Sequence, residues 1–242
     1  MAIEFVLLVL AAYLLGSAPA AYLVARLSRG IDIRQYGSGN VGVANLWRLT
    51  SRWLAILVVI FDLAKGMVMV WVAQEIGLGI AEQVTVGVAA IIGHNWPVFL
   101  GFSGGRGVLT TLGVALILPS INGLVPWGAI VALAIAGIGA FVVHNLPLGV
   151  GAAVVALPLV SWGFAEPLPF TLGFLAMFLI VVIRRLTARQ TIAVSIGKKQ
   201  LLLNRLLFDR DIRDKEAWVH RVPPEASSSK QPLGQQGKQE KG

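Results

Sequence analysis

Three short stretches hold the residue types able to do chemistry in an otherwise apolar chain. "QYGSGNVGVANLWR" (35–48) sets Gly37, Gly39 and Gly42 around Ser38 and Asn40, with Asn45 and Arg48 close behind. "GFSGGRG" (101–107) sets Gly104, Gly105 and Gly107 around Arg106. "DLAKG" (62–66) places Asp62 and Lys65 three residues apart. Glycine lets the backbone adopt positive φ and approach a ligand closely. Successive N–H groups in such a turn form a concave anion site, and the start of a following helix adds its dipole. Ser38 and Asn40 add side-chain donors, and arginine adds a fork that matches phosphate. The chemistry these stretches point to is the binding of a phosphate.

One phosphate reading is a dinucleotide turn, because Gly37, Gly39 and Gly42 have the G-x-G-x-x-G spacing and Asp62 lies twenty residues further on. That motif needs a buried strand before it and a βαβ unit around it. Here "RLSRGIDIRQY" precedes it with no apolar β run, and Asp62 falls inside the apolar stretch "LAILVVIFDLAKG". The context rejects the nucleotide.

The elements that must position these loops are membrane helices. The chain of 242 residues is 56% hydrophobic and 13% charged, with a mean hydropathy of +0.77. A soluble domain carries roughly a quarter charged residues, so much of this surface faces lipid. Apolar runs predict seven helices near 4–25, 54–73, 84–100, 107–121, 125–143, 150–165 and 168–183, an all-α polytopic membrane protein with its first span retained. Gly137 and Gly139 in the fifth suit close packing in lipid. The absence of cysteine excludes disulfides and thiol nucleophiles.

Basic residues give the orientation. With the N-terminus outside, the inward segments hold Arg26, Arg29, Arg34, Arg48, Arg52, Arg106 and the basic tail. The outward connections hold Glu75, Glu82 and Glu166 and no Lys or Arg. Both glycine loops then share the cytoplasmic face with "VHNLP" (143–147). A transporter would instead favour polar groups through the bilayer midplane. Of the net charge of +8, residues 184–242 carry +7. Such a tail suits anionic headgroups rather than nucleic acid, or is simply solvated.

Asp62 and Lys65 share a helix face. They read either as a self-neutralising pair that fixes packing, or functionally, with Lys65 adding positive potential near the cavity or Asp62 orienting an arginine. His94-Asn95-Trp96-Pro97 and His144-Asn145-Leu146-Pro147 form a near-repeat fifty residues apart. Neither histidine has a second ligand at metal spacing, so no metal is expected.

With "YGSGNVGVANLWR", "DLAKG" and "GHNWPVFLGFSGGRGV" in order, residues 10 to 140 resemble the integral-membrane acyl-phosphate:glycerol-3-phosphate acyltransferases of bacteria (the PlsY family), whose patterns run approximately GSGNxGxTNxxR, DxxKG and GHxFPxFxxFxGGKGVAT. The resemblance implies seven spans, an N-terminus outside, a site facing the cytoplasm of a bacterial plasma membrane, and no cofactor. It implies transfer of a fatty acyl group from acyl-phosphate to the 1-hydroxyl of glycerol-3-phosphate, giving lysophosphatidate and phosphate. Membrane lipid is the expected environment, a monomer suffices and no nucleic acid is involved. By motif position Ser38 and Arg48 hold phosphate, and Arg106 stands where the family has lysine. The expected catalytic set is Ser38, Asn40, His94 and Arg106. The expected binding set is Gly37, Gly39, Gly42, Asn45, Arg48, Lys65, Gly104, Gly105 and Gly107. Backbone N–H groups near Gly39 to Gly42 or Gly104 to Gly107 are candidates for the oxyanion. No Ser–His–Asp set is evident, so the substrate hydroxyl is expected to attack directly.

The chain departs from the family pattern at several points. Ala44 stands for threonine, Trp96 for phenylalanine, "HNLPLG" lacks the family's serine, and "IRRLTARQTIAVSIGKKQ" lacks the His, Asn and Glu of the family's ending. A relative that binds such phosphates without turnover is the alternative, and a small anion transporter a more distant one. The expected organisation is a membrane domain over 1–183, a basic cytoplasmic or interfacial segment over 184–222, and a disordered polar tail over 223–242.

Overall fold

The computed structural model describes residues 2–188 and 196–219. The expected disordered tail lies outside them. All regular structure among the described residues is helical: α1 (Ala2–Gly16), α2 (Ala20–Arg29), α3 (Val43–Leu49), α4 (Arg52–Glu75), α5 (Ile80–Asn95), α6 (Val108–Ile121), α7 (Trp127–Phe141), α8 (Leu146–Gly163), α9 (Leu168–Leu186), α10 (Lys198–Phe208) and α11 (Lys215–Val219), with a 3-10 turn at Val98–Leu100. Five segments are long and apolar enough to cross a bilayer: Ala2–Arg29, Arg52–Glu75, Ile80–Leu100, Leu146–Gly163 and Leu168–Leu186. α6 and α7 are apolar but shorter, with 14 and 15 residues. The chain is a multi-pass membrane protein.

The expected first helix is broken. Proline cannot donate to the helical ladder, and Pro19 separates α1 from α2. The Ala20 N–H turns to the Ala18 carbonyl, which leaves the Gly16 carbonyl free for a side chain described below. α2 then carries Arg26 and Arg29 in its last turn and ends on Gly30 at φ 69°, which launches the first glycine loop. Ser51 caps α4, accepting from the Leu54 N–H at 3.4 Å, and Asn145 caps α8, accepting from the Leu148 N–H at 3.3 Å.

α5 is the central helix. Its most apolar window is 61% buried, against 22–39% for the other four candidate spans, and it packs on α1, α4, α6 and α9. Phe170, Phe174, Leu157, Leu118 and Ile91 fill the main core. Large apolar side chains such as Leu27, Trp162 and Phe141 point outward, as lipid-facing helices require.

Small residues set the crossing of α1 with α5. A Cβ at Gly93 would meet the Tyr13 carbonyl, and one at Gly16 would meet the Ala90 carbonyl. Both obstacles are backbone and cannot swing aside. Gly93→Ala is therefore expected to destabilise the bundle by about 1–3 kcal/mol, the cost of overpacking, measured as a lower unfolding midpoint in detergent. Of the two glycines expected to pack in α7, Gly139 lies against Gly149 of α8, whereas Gly137 faces open space.

Candidate active site

The first glycine loop is tied from within by one side chain. Asn45, 1% exposed, donates from Nδ2 toward the carbonyls of Ile33 (3.2 Å), Tyr36 (3.0 Å) and Asn40 (3.2 Å), and its Oδ1 accepts the Ser38 N–H at 3.0 Å. Gly37 (φ 55°) must lack a side chain, because a Cβ there would meet Asn45 Oδ1. Asn45, expected to bind substrate, thus gives its polar atoms to the loop and positions Ser38 and Asn40. Asn45→Ala would strand several groups, each costing about 1–3 kcal/mol where water cannot reach it. Turnover is expected to fall at least tenfold at temperatures where the variant remains folded, which a paired melting curve and assay will separate.

The second loop is tied by α5 and α9. The Gly104 and Gly105 N–H groups donate to the Asn95 and His94 carbonyls. Arg184 of α9 donates from Nη2 to the Gly104 carbonyl (2.7 Å) and from Nε to the Gly105 carbonyl (3.0 Å). Gly107, at φ 70°, opens α6. The oxyanion role considered for these N–H groups meets a constraint, since those of Gly39, Gly104 and Gly105 all have backbone acceptors.

Beneath the loops lies a buried triad. The Lys65 ammonium has three protons and three acceptors: Asp62 Oδ1 at 2.9 Å, His94 Nδ1 at 2.7 Å and the Gly16 carbonyl freed by Pro19 at 3.1 Å. Accepting at Nδ1 assigns the His94 proton to Nε2, which occupies the space that a Cβ on Gly105 would need. Asp62 and Lys65 do form the self-neutralising pair, with His94 as a third member. The two HN-x-P stretches are not equivalent. His94 is buried in the triad, whereas His144 is exposed at φ 53° ahead of α8.

A cavity of about 370 Å³ opens between the two loops, the end of α9 and the α10–α11 segment. Ser38, Gly39, Asn40, Gly104 and Arg106 line it, so the structure brings together the core of the expected site. His94 and Gly105 line a much smaller neighbouring pocket. Arg48 is exposed and donates to the Ala44 carbonyl at 3.2 Å on its own helix, outside the cavity lining. Gly42 caps α3 in extended conformation.

Sequence reasoning missed most of the cavity's charge. Arg34, Arg184, Arg205 and Arg210 join Arg106, facing Asp32, Asp209 and Asp211. Arg106 Nε donates to Asp209 Oδ1 at 2.6 Å and Arg205 Nε to Asp211 Oδ1 at 2.7 Å. Arg34 grips Asp32 through Nε and Nη2 at 2.6–3.1 Å, which holds the Asp32 carboxyl below its usual range and raises the guanidinium. Arg185 pins α10 to the bundle, donating to the Leu206 and Pro147 carbonyls at 2.9 Å. The start of the segment after the last span, expected as cytoplasmic or interfacial, is therefore packed on α8 and α9. The one available signal was the arginine pair 184–185 ending the last apolar run.

Fold and cavity define a helical membrane protein with an arginine-lined cavity where loops and helix ends converge. A model of the glycerol-3-phosphate acyltransferase family matches residues 6–193. Glycerol-3-phosphate acyltransferase 5 of Dehalococcoides mccartyi is 41% identical over 236 residues, 95% of this chain and 98% of the relative. Glycerol-3-phosphate acyltransferase of Laribacter hongkongensis is 41% identical over 72% of this chain and 85% of its own. The crystal structure of PlsY (YgiH), an integral membrane glycerol 3-phosphate acyltransferase, in its glycerol 3-phosphate form matches with a TM-score of 0.68 at 30% identity, over 75% of this chain and 88% of that one. Its lysophosphatidic acid form gives 0.65 at 29%. The chain belongs to the glycerol-3-phosphate acyltransferase family.

Proposed function

We propose that this protein transfers a fatty acyl group from acyl-phosphate to the 1-hydroxyl of glycerol-3-phosphate, with lysophosphatidate and inorganic phosphate as products. The observation that carries the reading is the arginine-rich cavity bounded by the family's two glycine loops. The end-to-end similarity to an acyltransferase of Dehalococcoides mccartyi supports it. Five long and two shorter apolar helical segments support seven spans. The positive bias of the loops around the cavity supports an N-terminus outside and a cavity facing the cytoplasm. Similarity to acyltransferases of bacteria supports a bacterial plasma membrane. The membrane domain over 1–183 would be followed by a basic segment over 184–222.

The chemistry follows from the groups at hand. The glycerol C1 oxygen attacks the acyl carbonyl carbon, the bond from that carbon to the bridging oxygen breaks, and phosphate leaves with the electron pair. The hydroxyl proton passes to a phosphate oxygen. Ser38 and Arg106 hold phosphate. Asn40, whose buried Oδ1 has no hydrogen-bond partner among the described residues, orients the attacking hydroxyl. Proximity supplies much of the rate. His94 acts through the loop it supports, since Lys65 occupies its Nδ1.

The test uses purified protein in lipid nanodiscs with glycerol-3-phosphate and either palmitoyl-phosphate or palmitoyl-CoA. Palmitoyl-phosphate is expected to yield lysophosphatidate and phosphate one for one, and palmitoyl-CoA none. Transfer from the thioester, or binding of acyl-phosphate without turnover, would overturn the reading.

A further inference from the structure

Residues 198–219 lie beyond the stretch that the family model matches, yet they form one wall of the cavity. Four of the cavity's five arginines have acceptors. Arg34 has Asp32, Arg106 has Asp209, Arg205 has Asp211 and the Leu186 carbonyl, and Arg184 has the Gly104 and Gly105 carbonyls. Arg210 differs. Its Nε and Nη1 are both shut off from solvent, and neither has a hydrogen-bond partner among the described residues. The guanidinium centre lies 5.3 Å from the Phe208 ring centroid, which fixes its place at the cavity wall.

The side chain as a whole is only partly buried, but two of its donor atoms are shut away without partners, which is unfavourable until an acceptor arrives. Burial accordingly lowers the Arg210 pKa, and Arg48 adds to this while Asp214 and Asp209 oppose it. The guanidinium nonetheless stays protonated. Five arginines face three aspartates in the cavity, so a surplus of positive charge surrounds Arg210. A doubly charged terminal phosphate supplies both the missing acceptor oxygens and the missing negative charge. Asp209 carries Arg210 into place: it ends α10 at φ 53°, a left-handed turn that aspartate tolerates better than most residues, while its own carboxylate reaches Arg106.

We infer that the α10–α11 segment completes the substrate site and that Arg210 binds the terminal phosphate of a substrate. This rests on the proposed acyltransferase reading for which phosphate is meant, since both glycerol-3-phosphate and acyl-phosphate carry that group. The phosphate contacts would then extend past the family-matched region, into the part of the chain where the family's usual ending is absent.

The experiment measures equilibrium binding of glycerol-3-phosphate alone, and of palmitoyl-phosphate alone, to full-length protein in nanodiscs, so that it does not depend on turnover. Arg210→Ala is expected to weaken one of the two by about 10- to 100-fold, the value of a charge-assisted hydrogen bond, with Arg210→Lys recovering part of the loss. Which ligand weakens identifies the phosphate. Melting curves of both variants accompany the titrations, and if the alanine variant does not fold, Arg210→Gln takes its place. Unchanged affinity for both ligands in a folded variant overturns the inference, as does failure of the wild type to bind either. Wild-type binding without acyl transfer defeats the acyltransferase reading alone and leaves Arg210 to be judged by its affinities.

Discussion

Lys65→Met is expected to destabilise the protein by about 3–5 kcal/mol, the cost of leaving a buried charge without its partner. Side-chain exposure is 1% for Lys65 and 4% for Asp62, so water cannot replace the lost ammonium. Three acceptors lose their donor at once: Asp62, His94 and the Gly16 carbonyl at the helix break. In detergent this should lower the unfolding midpoint by roughly 10 °C or more. The double variant Asp62→Leu/Lys65→Met removes both charges and should recover at least half of the loss, because apolar replacement of a buried pair is often close to neutral. A single variant as stable as wild type would mean that the triad does not hold α1, α4 and α5 together.

Arg106→Ala is expected to lower kcat/KM for glycerol-3-phosphate by about 10- to 100-fold, since one charged donor to phosphate is lost. Arg106→Lys keeps the charge where the family pattern has lysine but loses the rigid fork, and should stay within about tenfold of wild type, less than one charged hydrogen bond. Asp209 makes the comparison informative. Its carboxylate accepts from Arg106 Nε, so an arriving phosphate must compete with it. Asp209→Asn, which keeps a residue tolerant of the left-handed turn that places Arg210 but removes the competing charge, should therefore tighten phosphate binding in the wild-type background and have no such effect beside Arg106→Ala. Equal kinetics for wild type and Arg106→Ala would remove Arg106 from the site.

The parts legible in the sequence were those with local causes. Gly37, Gly39, Gly104 and Gly107 announce loops because only glycine serves at such turns or contacts, and Asp62 and Lys65 announce a pair because helical spacing brings them together. The apolar runs located the helices to within a few residues. Pro19 was equally local, yet the first run was read through it, because "LLGSAPAAYLV" stays apolar on both sides of the break. Arg48 and Asn45 were read from motif position, and a position in a motif does not say which way a side chain turns: Asn45 turns inward to hold the loop and Arg48 outward along α3. The remaining misses are long-range. Asp209 meets Arg106 across 103 residues, and Arg184 meets Gly104 across 80. Nothing near Asp209 or Arg210 in the chain marks them as cavity residues. Their place follows from α10 docking on α8 and α9 through Arg185, a tertiary fact with no local pattern.

The lack of an activated nucleophile among the described residues bears most directly on mechanism. Ser38 lies on the cavity, but the histidine near the loops has its Nδ1 occupied by Lys65, and no Ser–His–Asp set forms among the described residues. The decisive measurement mixes purified protein with acyl-labelled palmitoyl-phosphate in the absence of glycerol-3-phosphate, quenches over milliseconds to minutes, and follows both free phosphate and protein-bound label. Direct transfer predicts no burst of phosphate and no labelled protein, with release beginning only when glycerol-3-phosphate is added. One equivalent of phosphate released per protein, with the acyl group held covalently on Ser38 or any other residue, would contradict the account.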